Sequence, residues 1–300
     1  MPQVDAQPSP SIKGLRRWMG DFSVLVKLRL TLLVLATTVA GFYLGKRDDV
    51  GWVAGLHVLW GTGLVAAGAA ALNQLLEIKA DSRMRRTQDR PLPAGRIGEQ
   101  DALLMGVLLS GFGLSWLFLL VNPLSALLAA LTLAAYLFLY TPAKKLSALN
   151  TLIGAVPGAL PPVIGWTGAT GRIDAGAVVL FGLLFLWQMP HFLAIAWLYR
   201  EDYARGGFRM LTLDDETGRS TGIKSALYGL LLLPVAAAPW WLGQGGVAGL
   251  VVGLLFTSAY AAAALHMALR PGKATARTLF FTSLAYLPAM LILLALDKQG

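Results

Sequence analysis

Residues 99–140 read EQDALLMGVLLSGFGLSWLFLLVNPLSALLAALTLAAYLFLY, and beyond Asp101 they hold no charged side chain. The two apolar runs inside this stretch, 99–121 and 123–140, approach the roughly 20 residues that a helix needs to cross about 30 Å of hydrocarbon. Only a minimal turn at Val121-Asn122 separates them, so the pair reads as a helical hairpin through a bilayer. Working outward, further apolar runs bounded by Gly, Pro or charge lie at roughly 23–45, 51–76, 148–167, 174–199, 222–242, 246–269 and 274–296. The expected fold class is an all-α integral membrane protein, a nine-transmembrane-helix bundle. It forms one domain over 23–296 behind a flexible cytoplasmic N-terminal tail, 1–22.

Composition agrees. Of 300 residues, 56% are hydrophobic and 14% charged, with a mean hydropathy of +0.62, whereas soluble domains carry about 25% charged residues. Cysteine is absent, which excludes disulfides, thiolate nucleophiles and Cys-ligated metal sites. The Pro-rich start lacks a long apolar core followed by a small-residue cleavage site, so it does not read as a secretory signal. The formal charge of +9 is a matter of topology. With the N-terminus cytoplasmic, every Lys and Arg except Lys46, Arg47, Arg172 and Lys298 falls on the cytoplasmic side, as the positive-inside rule requires. The charge therefore reads as topology plus attraction for anionic headgroups or phosphate, with no nucleic-acid partner; the expected location is the cell inner membrane, multi-pass. Two cytoplasmic connections, after the second and sixth spans, run to roughly 22 residues each, and long ordered loops tend to be functional.

The first of these begins in residues 70–96, AALNQLLEIKADSRMRRTQDRPLPAGR. Asn73, Glu77 and Asp81 are spaced four apart and share one helix face. An amide oxygen and two carboxylates are the hard ligands that Mg²⁺ prefers where it also holds substrate phosphates. Arg83, Arg85, Arg86 and Arg90 follow at once, and guanidinium groups bind phosphate oxygens in a bidentate way. The pattern points to a magnesium diphosphate site, and a solvated helix cap with surface ion pairs is the plainer alternative.

This segment resembles the first signature of the UbiA-type intramembrane prenyltransferases. Glu77, the downstream MRRTQDRPLPAGR of 84–96, YTPAKKLSALNTLIGAVPGALPPVIGW of 140–166 and FLWQMPHFLAIAWLYREDYARGGFRML of 185–211 resemble the branch that farnesylates haem. The resemblance implies farnesyl transfer from farnesyl diphosphate to haem B, giving haem O, with Mg²⁺ as cofactor and the lipid bilayer as setting. It also implies contact with a downstream haem-modifying enzyme or terminal oxidase. Asn73, Glu77 and Asp81 would bind metal, while Arg83, Arg86 and Arg90 would meet the diphosphate. Lys144 and Lys145 would help neutralise it, or serve only as topogenic charge. Where many members carry a second carboxylate pair, YREDYARGG of 199–207 places Tyr199 and Tyr203. Those tyrosines, Asp202 and Arg205 are the remaining substrate-site candidates, with Asp202, and Glu201 as the alternative beside it, the carboxylates left for a second metal.

His191, inside WQMPHF, is a candidate haem contact, since imidazole is a common axial ligand; a packed hydrogen-bonding group is the alternative. Gly154, Pro157, Gly158, Pro161 and Pro162 predict a broken fifth span. Broken helices and intramembrane charge also mark secondary transporters of anionic metabolites, yet here the polar residues gather at the cytoplasmic ends. Another prenyl acceptor and a noncatalytic oxidase assembly factor are the further alternatives.

Overall fold

A computed structural model describes residues 10–47 and 50–299, with side chains from residue 14 onward. Among the described residues, nine helical segments are long and apolar enough to cross a membrane. They are α2 (Leu28–Gly45), α3 (Trp52–Asp81), α4 (Glu99–Leu120), α5 to α6 (Pro123–Leu146), α7 to α8 (Asn150–Thr170), α9 (Ala175–Leu198), α11 (Arg219–Trp241), α12 (Val247–Leu269) and α13 (Lys273–Asp297). Two spans run past their expected ends, to Asp81 and Leu146, because hydropathy marks where the hydrocarbon stops and a helix can continue beyond it. A short α10 (Arg200–Arg205) lies in the second long connection. Residues 10–22, expected as part of a flexible tail, belong to helix α1 (Pro10–Leu25); residues 1–9 of that tail lie outside the described residues.

Many large apolar side chains, such as Phe138, Leu119 and Leu296, face outward, while the interior combines Gly, Ala and polar side chains with buried Leu, Met and aromatic ones. That is how helices associate in lipid, where close packing and interhelical hydrogen bonds replace hydrophobic exclusion. Gly41 and Gly165 mark the α2–α8 crossing: a Cβ on Gly165 would fall 2.0 Å from the Thr38 carbonyl oxygen, so only glycine admits this approach. Buried polar groups bind across helices. The Gln188 amide donates to the Ala155 carbonyl at 2.7 Å, Trp187 Nε1 to the Ser283 carbonyl at 2.9 Å and Tyr260 Oη to the Trp187 carbonyl at 2.8 Å. One core cluster joins α9, α11, α12 and α13, and another joins α2, α3, α5 and α8 to α9.

Three irregularities position the site. Lys27, between α1 and α2, has φ 47°, the one positive value at a non-glycine among the described residues, a conformation that costs energy unless its surroundings hold it. The buried Gln74 amide holds this corner by donating to the Val24 and Leu25 carbonyls, each at 2.7 Å. Second, Pro142 has no N–H and its ring would strike the carbonyl four residues back, and the chain widens into a π-helical turn over Ala135–Tyr140. Thr141 closes that turn, its hydroxyl donating to the Tyr136 carbonyl at 2.8 Å. Third, the fifth span breaks into α7 (Asn150–Ala159) and α8 (Pro161–Thr170), as its prolines predict.

Candidate active site

At the end of α3, Asn73, Glu77 and Asp81 stack on one buried face as their spacing predicts, and each meets a cation from another element. Lys27 Nζ donates to Asn73 Oδ1 at 2.6 Å. Lys144 Nζ, carried by α6, donates to Glu77 Oε1 at 2.7 Å. Arg90 Nη1, from the first long loop, donates to Asp81 Oδ2 at 2.7 Å. Facing α3, Tyr136, Tyr140 and Lys144 form a second ladder at four-residue intervals, and the Lys144 ammonium lies 4.5 Å from the Tyr140 ring centre. The π-helical turn sets that ladder's register.

Between the ladders is a cavity of about 180 Å³. Its charged lining is Lys27, Arg86, Arg90 and Lys144 against Glu77 and Asp81. Four cations around two carboxylates suit a polyanion that brings a divalent metal. Met84, Phe208 and Met210 supply apolar wall where the two long loops meet. The first loop is tied beneath by the Thr87 hydroxyl, which donates to the Asp81 carbonyl at 2.9 Å.

The residues also fit a metal. Asp81 Oδ1 is buried and has no hydrogen-bond partner, a costly arrangement for a carboxylate unless a cation meets it. Among the described residues no three His, Asp or Glu side chains converge, so a divalent ion here would be held by two carboxylates and would need further oxygen donors beyond them. Asn73 Oδ1 already accepts from Lys27 and from Tyr136 Oη at 3.2 Å, and Asn73 is absent from the cavity wall.

The profile of the UbiA prenyltransferase family matches residues 34–285. The chain belongs to that family. It is 44% identical over 291 residues to the protoheme IX farnesyltransferase of Solibacter usitatus, covering 94% of this chain and 100% of that protein. Its fold is also that of a solved digeranylgeranylglyceryl phosphate synthase, at TM-score 0.79 and 16% identity over 93% of this chain and 98% of that one. A UbiA homologue from Archaeoglobus fulgidus, solved bound to DMAPP and Mg²⁺, matches at TM-score 0.68 and 14% identity over 91% and 99% of the two chains.

In this membrane prenyltransferase, Glu77, Asp81, Arg86, Arg90, Lys144 and Tyr203 come together on the cavity. Arg83 and Lys145 do not; both are exposed. Tyr199 stands behind Arg86, whose guanidinium carbon lies 5.0 Å from its ring centre. Asp202 is turned away: its Oδ1 accepts from Arg205 and, at 3.4 Å, from the Arg85 N–H. The Arg205 guanidinium holds that carboxyl below the usual carboxylate range, with burial opposing. His191 is also elsewhere, in the α9–α13 contact. It stacks on Trp187 and Phe280, both at 5.2 Å, with Nδ1 2.7 Å from Ser283 Oγ.

Sequence reasoning missed Lys27, Tyr136 and Tyr140. A signal existed for each: Lys27 interrupts the apolar run of 23–45, and an ionisable group inside a span is functional by default. The tyrosines fall four apart in line with Lys144. Asp215 had no signal. It organises the end of the second long loop, accepting from the Thr221 N–H and hydroxyl at 2.7 Å and the Gly218 N–H at 2.9 Å. Burial pushes its carboxyl up, but these donors outweigh burial and hold it below the ordinary range.

Proposed function

We propose that this prenyltransferase moves the farnesyl group of farnesyl diphosphate onto a vinyl group of haem B, with hydration, to release haem O and diphosphate. The observation that carries the diphosphate half is the cavity, where four cations face the carboxylates of Glu77 and Asp81, and Asp81 keeps one buried oxygen without a partner. The haem half follows from 44% identity along nearly the whole chain to a protoheme IX farnesyltransferase.

Glu77 and Asp81 are the donors for Mg²⁺, with Asn73 the third candidate on the same face. A Mg²⁺ bound there would neutralise phosphate oxygens and ease departure of the diphosphate. Arg90, Lys144, Lys27 and Arg86 take the diphosphate oxygens as the bond from farnesyl C1 to oxygen breaks and its electron pair leaves with the phosphate. Stabilising charge that develops in this way is usually the largest catalytic term. The Tyr136 and Tyr140 faces and the loop residues Met84, Phe208 and Met210 keep water from the allylic cation. The vinyl terminal carbon attacks C1, water adds to the carbon beside the porphyrin, and one proton is lost. Residues 23–296 carry this chemistry in the cell inner membrane with the long loops cytoplasmic.

Incubation of purified protein with haem B, farnesyl diphosphate and Mg²⁺ tests the proposal. A porphyrin heavier by one farnesyl group and one hydroxyl is expected. Unchanged haem with intact farnesyl diphosphate would overturn the reading in favour of a transporter or assembly factor, and a prenylated product of a different acceptor would overturn only the haem half.

A further inference from the structure

The second long loop reaches the cavity through aromatic rings rather than carboxylates. Tyr203 lines the cavity, Tyr199 stands beside it, and the Arg86 guanidinium carbon lies 5.0 Å from the Tyr199 ring centre and 5.6 Å from that of Tyr203. The hydroxyl makes only a marginal contact, with Arg86 Nη2 3.5 Å from Tyr203 Oη. A guanidinium on the end of a flexible, exposed side chain would otherwise sample many rotamers, and two π-faces restrict it while leaving its N–H groups free to donate. The same loop's carboxylate, Asp202, is engaged by Arg205 and the Arg85 N–H and is not in the cavity wall.

We infer that Tyr199 and Tyr203 are positioning residues that hold Arg86 over the diphosphate, and that this clamp, in place of a second metal ion, supplies the cavity's positive charge from the second loop. The inference rests on the diphosphate reading above. Tyr199 and Tyr203 act through their ring faces, so shape and π-character matter and the hydroxyls do not. One divalent ion, held from α3, completes the site.

The test uses the full-length protein in detergent with Mg²⁺ and farnesyl S-thiolodiphosphate, an analogue slow to ionise, and reads the dissociation constant. Arg86→Gln is expected to weaken binding about ten-fold or more, as loss of charged hydrogen bonds does. Tyr203→Leu should weaken it about five-fold, the scale of a partly desolvated cation–π contact. Phe in place of that Leu should recover most of the loss, and Tyr203→Leu should cost nothing further once Arg86 is Gln. The same pattern is expected at Tyr199; where a Leu variant does not fold, Met takes its place. Spin-counting of bound Mn²⁺ with the analogue should give one ion per chain, unchanged by Asp202→Asn.

Phe variants as weak as Leu variants, additive losses in the Arg86→Gln background, or two Mn²⁺ ions with one lost in Asp202→Asn would each overturn the clamp. Glu77→Gln and Asp81→Asn serve as the separate check on the diphosphate reading. If they bind the analogue normally that reading fails, whereas if they lose it and the tyrosine variants stay silent, only the clamp fails.

Discussion

Asp81 is the residue whose surroundings are most demanding. It is 1% exposed, one oxygen is bound by Arg90, and the other is buried with no partner. Asp81→Asn keeps the shape and removes the charge. It is expected to express and stay monodisperse in detergent while turnover falls by about 10² or more, the scale for loss of oriented charge stabilisation. Lys79→Gln, two residues away and exposed, is the control and should match the parent; steady-state assays across a Mg²⁺ titration compare the two. His191 makes a contrasting case, because its ring is fully engaged in packing between α9 and α13. His191→Ala removes two ring stacks and the bond to Ser283, so it should lower thermal stability in detergent by about 2–4 kcal/mol, as aromatic deletions in packed interiors do. If haem B also binds near this interface, the Soret band of the bound haem will shift in the variant. An unshifted band with the stability loss assigns His191 to packing alone.

Among elements, the π-helical turn and the α2–α8 crossing do the positioning. The turn at Ala135–Tyr140 follows from Pro142 and places Tyr136, Tyr140 and Lys144 opposite Asn73, Glu77 and Asp81. Such turns interrupt α-helices mostly where function requires it. The crossing instead depends on an absent side chain. Gly165→Ala would put a methyl 2.0 Å from the Thr38 carbonyl oxygen, forcing the helices apart. It should destabilise by about 1–3 kcal/mol, the usual cost of overpacking, and lower the melting temperature of the detergent-solubilised protein. Gly111→Ala, where a Cβ meets nothing, is the matched control and should leave melting unchanged.

For the whole molecule, the prediction concerns orientation: the positive-inside rule expects the side that carries most Lys and Arg to be cytoplasmic. Alkaline phosphatase fused after Lys298 is expected to be active, and fused after Arg90 inactive. The reverse pattern would place the cavity and both long loops outside, where the proposed substrates would have to reach it from the opposite leaflet.

Much of this protein is legible along the chain. Bilayer-length apolar runs, the one-sided distribution of Lys and Arg, the ladder of Asn73, Glu77 and Asp81 and the break in the fifth span are local or periodic properties, and the bilayer reads them one segment at a time. The ends of spans two and four were not legible, since helix continues where apolar residues stop. Nor were the partners inside the cavity. Lys27 reaches Asn73 across 46 positions, Lys144 reaches Glu77 across 67, and Arg86 lies 117 positions from Tyr203. Those meetings depend on which helix packs beside which, on a strained corner at Lys27 and on a π-helical turn that shifts one ladder's register. The same packing carried His191 into the α9–α13 contact, whereas Asp202 is taken by Arg205, its i,i+3 neighbour on α10, a local pairing already present along the chain. A side chain's direction is set by its neighbours in space, and only the assembled bundle supplies them.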